Sequence, residues 1–309
     1  MTPSPGGWTR AILVANVVVQ VGIVVTGGLV RLTGSGLGCP TWPECVPGSY
    51  TPVVEQAEGI HSAIEFGNRL LTFVVGVVAL ATLVAVWRLG RRHLRPLGAL
   101  PLVGVAAQAA LGGVTVLTSL HPATVAAHFL LSMVLVAAST MLLLRVRDGD
   151  GPARPVVPAP VRALGWLLAA IGAAVLTVGT VVTGSGPHSG DADTPARFGL
   201  DPRTISWLHA DLVLLFLGLL VGLLVTLAVT GAPSAVRGRG WWLLGVTLAQ
   251  GTIGYTQYAT DLPEALVAAH MLGASLLVVT LTAVVAGTMT RDPGRAAPSS
   301  PVIMARSTT

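Results

Sequence analysis

The stretch Ile60-His61-Ser62-Ala63-Ile64-Glu65-Phe66-Gly67-Asn68-Arg69 holds more potential chemistry than any other in the chain. It opens a long apolar run. At helical spacing His61, Glu65 and Asn68 stand at i, i+4 and i+7, so they share one face. A carboxylate at such a place is costly to bury and marks a candidate functional group. Glu65 and Arg69, also at i and i+4, could instead pair with each other near the water boundary. On these residues alone the two readings are even.

Three more histidines sharpen the question. His128, His209 and His270 fall inside apolar runs at matched depth. His128 and His270 follow Pro122 and Pro263 closely, about 10 Å below the start of a helix that rises 1.5 Å per residue. A single histidine there is as often a packing residue as a ligand. Three at one depth favour ligation, because two imidazoles facing across a four-helix bundle hold a planar haem iron axially. His209 and His270 supply such a pair in the second half of the chain, and His128 supplies one member in the first. An offset of about 141 residues carries His209 back onto Asn68. No Cys-X-X-Cys-His motif occurs, so a haem would be held non-covalently. Zinc would want further ligands close by, and a copper site would not explain the duplication. His93, in an arginine cluster, and His188, in a loop, read as solvated; His121 reads as interfacial.

The elements that position these residues are membrane helices. Apolar residues make up 52% of the 309 and charged residues 10%, against about 25% charged in a soluble domain. Mean hydropathy is +0.76. All 18 basic residues are arginine, and the net charge of +5 reflects basic loops rather than nucleic-acid binding. Eight apolar runs fit spanning helices: 11–30, 62–87, 97–117, 124–144, 163–183, 205–229, 241–258 and 264–288. No cleavable signal peptide is expected. With the amino terminus in the cytoplasm, only Arg31, Arg69, Arg197 and Arg203 fall outside, in keeping with the positive-inside rule. Both termini are then cytoplasmic, and the histidine layer lies toward the extracytoplasmic face of a cell membrane.

The expected fold is all-α, with eight transmembrane helices as two four-helix bundles related by a pseudo-twofold axis along the membrane normal. The predicted divisions are an N-terminal bundle (1–147), a cytoplasmic linker (148–162) rich in proline, a C-terminal bundle (163–290) and a polar tail (291–309). Two internal matches support the duplication. Gln108, Gly112 and Val125-Ala126-Ala127-His128 recur as Gln250, Gly254 and Val267-Ala268-Ala269-His270, at an offset of 142 residues. Val24-Val25-Thr26-Gly27 also matches Val181-Val182-Thr183-Gly184.

Cys39 and Cys45 both lie in the first outer loop. An oxidising exterior favours a disulfide between them, either a simple staple or a redox-active pair. Arg31 and Arg69 fit either haem propionates, which guanidinium binds bidentately, or an interfacial anchoring role.

Together these residues resemble the haem A synthase family. The features are Thr33-Gly34-Ser35-Gly36-Leu37-Gly38-Cys39-Pro40 with Trp42-Pro43 and Cys45, then Ile64-Glu65-Phe66-Gly67-Asn68-Arg69, then histidines in helices four, six and eight. The resemblance implies an enzyme that oxidises a ring methyl of haem O to the formyl group of haem A. It implies a haem b between His209 and His270, and the substrate haem O in the first half on His128. It makes Glu65 the essential glutamate and Cys39–Cys45 the outer-loop disulfide. The usual pattern has a histidine three residues after the glutamate, where this chain has Asn68, so the substrate iron is expected to have an open or weak sixth position. His61, a further candidate, stands seven residues earlier. Expected partners are haem O, the synthase that makes it, a membrane electron acceptor and lipid; no nucleic acid is expected, and oligomerisation is left open. A membrane haem carrier and a di-haem electron-transfer cytochrome are the competing readings.

Overall fold

The computed structural model describes residues 6–54, 56–191 and 195–291. The polar tail expected after Arg291 lies outside these described residues. Eight long helices form: α1 (Gly7–Leu32), α2 (Ile60–Arg88), α3 (Arg95–Leu117), α4 (Pro122–Arg145), α5 (Ala159–Ser185), α6 (Pro202–Val229), α7 (Ser234–Ala259) and α8 (Glu264–Gly287). Each apolar run becomes a helix because only internal hydrogen bonding satisfies the backbone in a hydrocarbon environment. Seven of the eight are long and apolar enough to cross a membrane; α7 is not among them. Its Gln250, Gln257, three threonines and two arginines dilute the hydropathy that the expectation of eight spans assumed.

α1 packs on α2 and α4, and α3 packs on both α2 and α4. The later helices pack alike, with α5 on α6 and α8, and α7 on α6 and α8. The two groups meet through α4 against α8, α1 against α8, and α4 against α5. In each group this order leaves the helices that carry the candidate ligands diagonally opposite one another, α2 to α4 and α6 to α8.

The turns into α4 and α8 set the height of His128 and His270, and they share an uncommon backbone. Ser119 and Leu120 have φ of 51° and 55°, and Asp261 and Leu262 have φ of 59° and 60°. Two successive non-glycine residues in the left-handed region cost roughly 1–2 kcal/mol each. The Leu120 N–H donates to the Thr115 carbonyl at 2.8 Å, and the Leu262 N–H to the Gln257 carbonyl at 2.7 Å. Pro122 then opens α4, and Pro263 caps α8.

The segment expected as a plain linker is tied down. β1 (Ala153–Pro155) pairs antiparallel with β2 (Met289–Arg291), and Val157 and Val161 are buried. Arg91 bonds the carbonyls of Val146, Asp148 and Gly149 and the carboxylate of Asp150. The prolines stop a helix but leave edge pairing possible, and buried valines hold the segment against the second group.

Candidate functional site

Each of four residues on the even-numbered helices faces a glycine on an adjacent helix. His128 of α4 faces Gly112 of α3, where a Cβ would stand 3.4 Å from the imidazole Cε1. His270 of α8 faces Gly254 of α7 in the same way, at 3.3 Å, and His209 of α6 faces Gly179 of α5, at 3.1 Å. The fourth is Asn68 of α2, whose Nδ2 lies 3.8 Å from the Cβ that Gly27 of α1 lacks. At each position the missing side chain leaves room for the facing group. The structure therefore puts Asn68 in the setting that the other three positions give to histidine.

The backbone beneath two of the imidazoles is pinned. Gln108 Nε2 donates to the His128 carbonyl at 3.1 Å and to Ser132 Oγ at 2.5 Å, and Gln250 Nε2 donates to the His270 carbonyl at 2.9 Å. Asn68 Oδ1 accepts from Thr26 Oγ1 at 2.8 Å. Gln108 and Gln250 stand 142 residues apart in sequence, as His128 and His270 do; their bonds to the histidine carbonyls depend on how α3 and α7 are placed. Nothing in the sequence pattern singles out Thr26 as a partner of Asn68.

The Nδ1 atoms of His128 and His270 are buried with no protein partner among the described residues. An imidazole nitrogen in a dry interior is costly unless it meets a donor or a metal. Among the described residues no group of three or more His, Cys, Asp or Glu could hold a bare ion. A porphyrin brings four of its own ligands and needs only axial ones, so this donor set fits a haem.

One turn before Asn68, Glu65 is buried, and its carboxylate is fully engaged. Oε2 accepts the Cys39 N–H at 2.7 Å, and Oε1 accepts Arg69 Nη2 at 2.6 Å and Nε at 3.1 Å. The ion pair left open as an alternative is thus formed, but inside the protein. Arg69 also donates to the carbonyls of Cys39, Thr41 and Glu44, so its guanidinium is committed to Glu65 and the first loop. Cys39 and Cys45 in that loop are disulfide-bonded and fully buried. Ser206, the counterpart of Glu65 in α6, bonds only its own helix, at the Pro202 carbonyl.

His61 is not in the histidine layer. Its Nδ1 pairs with Ser35 Oγ at 2.8 Å, about 10 Å along α2 from Asn68. Arg31 crosses to the second group, where Nη2 donates to the Thr183 carbonyl at 2.9 Å, while its Nε is buried without a protein partner among the described residues. The loops close over the same region, since the Gly36 N–H donates to the Gly190 carbonyl at 2.9 Å. Burial holds the nearby His188 imidazole below its usual pKa; Glu264 opposes this, and Arg31 and Arg197 reinforce it.

The shorter of the two internal matches does not survive in three dimensions. Gly27 faces Asn68, whereas Gly184 lies against Phe198 and Pro122. The α5 residue that faces His209 is Gly179, so packing aligns α1 and α5 five residues away from the Val-Val-Thr-Gly identity.

An all-helical chain with seven candidate spans and buried imidazoles has the character of a polytopic membrane protein. Residues 10–285 match the model of the cytochrome oxidase assembly protein family, COX15-CtaA, and the chain belongs to that family. It is similar to the heme A synthase of Lysinibacillus sphaericus (strain C3-41), 37% identical over 135 residues, 41% of each chain. It is also similar to that of Bacillus licheniformis, 32% identical over 131 residues, 41% of this chain and 42% of the relative. These two matches therefore span less than half of the relatives' length. The heme A synthase of Methylorubrum extorquens (strain PA1) is 28% identical over 335 residues, 90% of this chain and 86% of the relative.

Proposed function

We propose that this chain is a haem A synthase, a membrane oxidoreductase that converts a ring methyl of haem O to the formyl group of haem A by successive hydroxylations. The observation that carries the reading is the asymmetry of the ligand layer. Both halves present residues against facing glycines, but only the first half adds a buried carboxylate, Glu65. One half is then the substrate half and the other the cofactor half. The competing haem carrier or electron-transfer cytochrome has no use for a carboxylate in one copy alone.

In this reading the two groups of helices are pseudo-twofold-related bundles, with α7 as the eighth span beside α6 and α8. The matching helix contacts and the repeated left-handed turns support it. Both termini face the cytoplasm, following the arginine bias, and the ligand layer lies toward the extracytoplasmic face.

His209 and His270 would hold a haem b in the second half, which would supply one-electron transfer there. His128 would hold the substrate haem O in the first half, where Asn68, a neutral amide and a poor iron ligand, stands at the matching place on α2. Glu65 stands one turn from Asn68. Arg69 and the Cys39 amide orient its carboxylate, which handles protons or stabilises cationic character at the reacting edge. Arg31, with an uncommitted buried Nε, is the better placed arginine for a propionate, because the donors of Arg69 are already engaged.

The test is to express the chain beside a haem O-producing enzyme and separate the extracted haems by chromatography. Haem A is expected from the wild type, with at least a tenfold reduction in Glu65→Gln. Haem O that stays unchanged with the wild type would remove the proposal.

A further inference from the structure

At the helix ends opposite the ligand layer the two halves meet again, and they leave a cleft of about 210 Å³. Its walls are the last turn of α4, the first turns of α7 and the end of α8. Arg145 comes from the first half and Arg239 from the second. Asp148 is the one carboxylate among the lining residues, and its Oδ2 accepts Arg145 Nη1 at 2.9 Å. The lining therefore carries one positive charge in excess.

Arg239 is half-buried, yet little of the protein answers it. Its Nη1 donates to the Ala283 carbonyl at 3.1 Å, near the C-terminal end of α8, a place that favours a cation. A Cβ on Gly287 would stand where this guanidinium passes, so the glycine seats it. The bond to Ala283 accounts for one nitrogen. Nε and Nη2 have no protein partner among the described residues, and the ion pairs of those residues leave Arg239 out. At an offset of 142 residues Arg239 corresponds to Leu97, which packs on the cluster of Leu13, Val86 and Leu142. The first half fills the place with a leucine; the second puts a cation there, beside a cleft. A guanidinium drawn partly out of water carries a cost unless an anion meets it.

The cleft lies at the level of lipid headgroups. Trp241 and Trp242 follow Arg239 closely on α7 and are 62% and 74% exposed. Trp8, Trp87 and Trp166 are likewise exposed near the same ends of α1, α2 and α5. Indole rings gather where hydrocarbon gives way to headgroups, so this belt marks the boundary. Arg239 lies about 3 Å beyond Trp241 along the helix, on the headgroup side. Leu144, Val236 and Met289 supply apolar wall for the glycerol end of a lipid.

We propose that the cleft between α4, α7 and α8 binds a phosphate group, that of an anionic phospholipid, held by Arg239 and Arg145. Guanidinium meets phosphate oxygens bidentately, and basic pockets between membrane helices are places where anionic headgroups dock. Arg145 commits one nitrogen to Asp148 and has others to give. A single phosphate bridges the end of α4 to the first turns of α7 and braces the two halves where two like charges line one cleft. Inorganic phosphate offers the same oxygens; the tryptophan belt and the apolar wall favour the lipid. The site rests on the membrane placement of the helices and not on the haem A synthase reading, so it stands or falls whether or not the chain converts haem O.

Native mass spectrometry of the full chain, purified and delipidated in detergent, tests this with phosphatidylglycerol, phosphatidylcholine and inorganic phosphate as probes. Wild type is expected to retain phosphatidylglycerol at least fivefold more than phosphatidylcholine, which has the same phosphate but no net charge. Arg239→Gln is expected to lose that preference. Ala235→Phe, at an exposed residue of the lining, fills the cleft without touching a charge. It is expected to lower retention at least threefold, which keeps the test open if Arg239→Gln fails to fold. Arg237→Gln, on α7 but outside the lining, is expected to keep full retention. Retention unchanged in Arg239→Gln, or lost equally in Arg237→Gln, would overturn the site and leave only a general attraction to anionic lipid. Inorganic phosphate that binds wild type and not Arg239→Gln, with no preference for phosphatidylglycerol, would overturn the lipid as occupant. Phosphatidylglycerol is also expected to raise the unfolding midpoint of wild type and not that of Arg239→Gln; an equal rise in both would overturn the bracing of the two halves.

Discussion

Arg69 is the residue on which the outer end of the first half depends. It meets one carboxylate and three loop carbonyls, a task for a planar guanidinium with several fixed donors. Arg69→Ala leaves the Glu65 charge buried with only the Cys39 amide, and the loss should be about 3 kcal/mol. Thermal unfolding in detergent reads it, and Arg69→Lys should recover less than half, since one ammonium cannot span those acceptors. Asn68 makes a different prediction. Because it stands in a histidine setting against Gly27, Asn68→His should give the first half a second axial imidazole. The visible spectrum of the haem-loaded protein should then gain a second six-coordinate low-spin component, with slower haem O conversion as the open position closes. An unchanged spectrum would mean that α2 and α4 do not face the same iron.

The two groups of helices match more closely in their turns than in the Val-Val-Thr-Gly identity. The α3–α4 and α7–α8 turns both place two non-glycine residues at positive φ, a cost accepted where the entry of α4 and α8 must be set. Ser119 is exposed, so Ser119→Gly relieves the left-handed strain without losing packing. It should raise stability by about 0.5–1 kcal/mol, seen as an upward shift in the unfolding midpoint with an unchanged haem spectrum. The pairing of β1 with β2 likewise shows that the proline-rich stretch is a strap between the two halves.

For the whole molecule, the arginine distribution predicts which face is which. Thr260 ends α7 on the side of the ligand layer, and Ala153 lies in β1 on the opposite side; both are exposed. Thr260→Cys should react with a membrane-impermeant maleimide in intact cells. Ala153→Cys should react only after the membrane is opened. The reverse pattern would invert the topology and place the ligand layer toward the cytoplasm.

Much of this architecture was legible in the chain. Long apolar runs specify helices, because a membrane leaves the backbone few alternatives. Depth along a helix follows from residue count, so His128, His209 and His270 could be grouped without coordinates. The offset that led from His209 to Asn68 also agrees with the facing glycines. Relations between helices were not legible. The bond from Cys39 to Glu65 joins a loop to a helix across 26 residues, and no periodicity records such a contact. The Val-Val-Thr-Gly match misaligned α1 with α5, since two helices can share a tetrapeptide and still pack in another register. Asn16 and Ser139 meet only because α1 and α4 bring them to the same level. The sequence can say how polar a helix is and how deep each residue lies; which residues meet depends on the rotation and stagger of neighbouring helices, and those arise from packing among all of them at once.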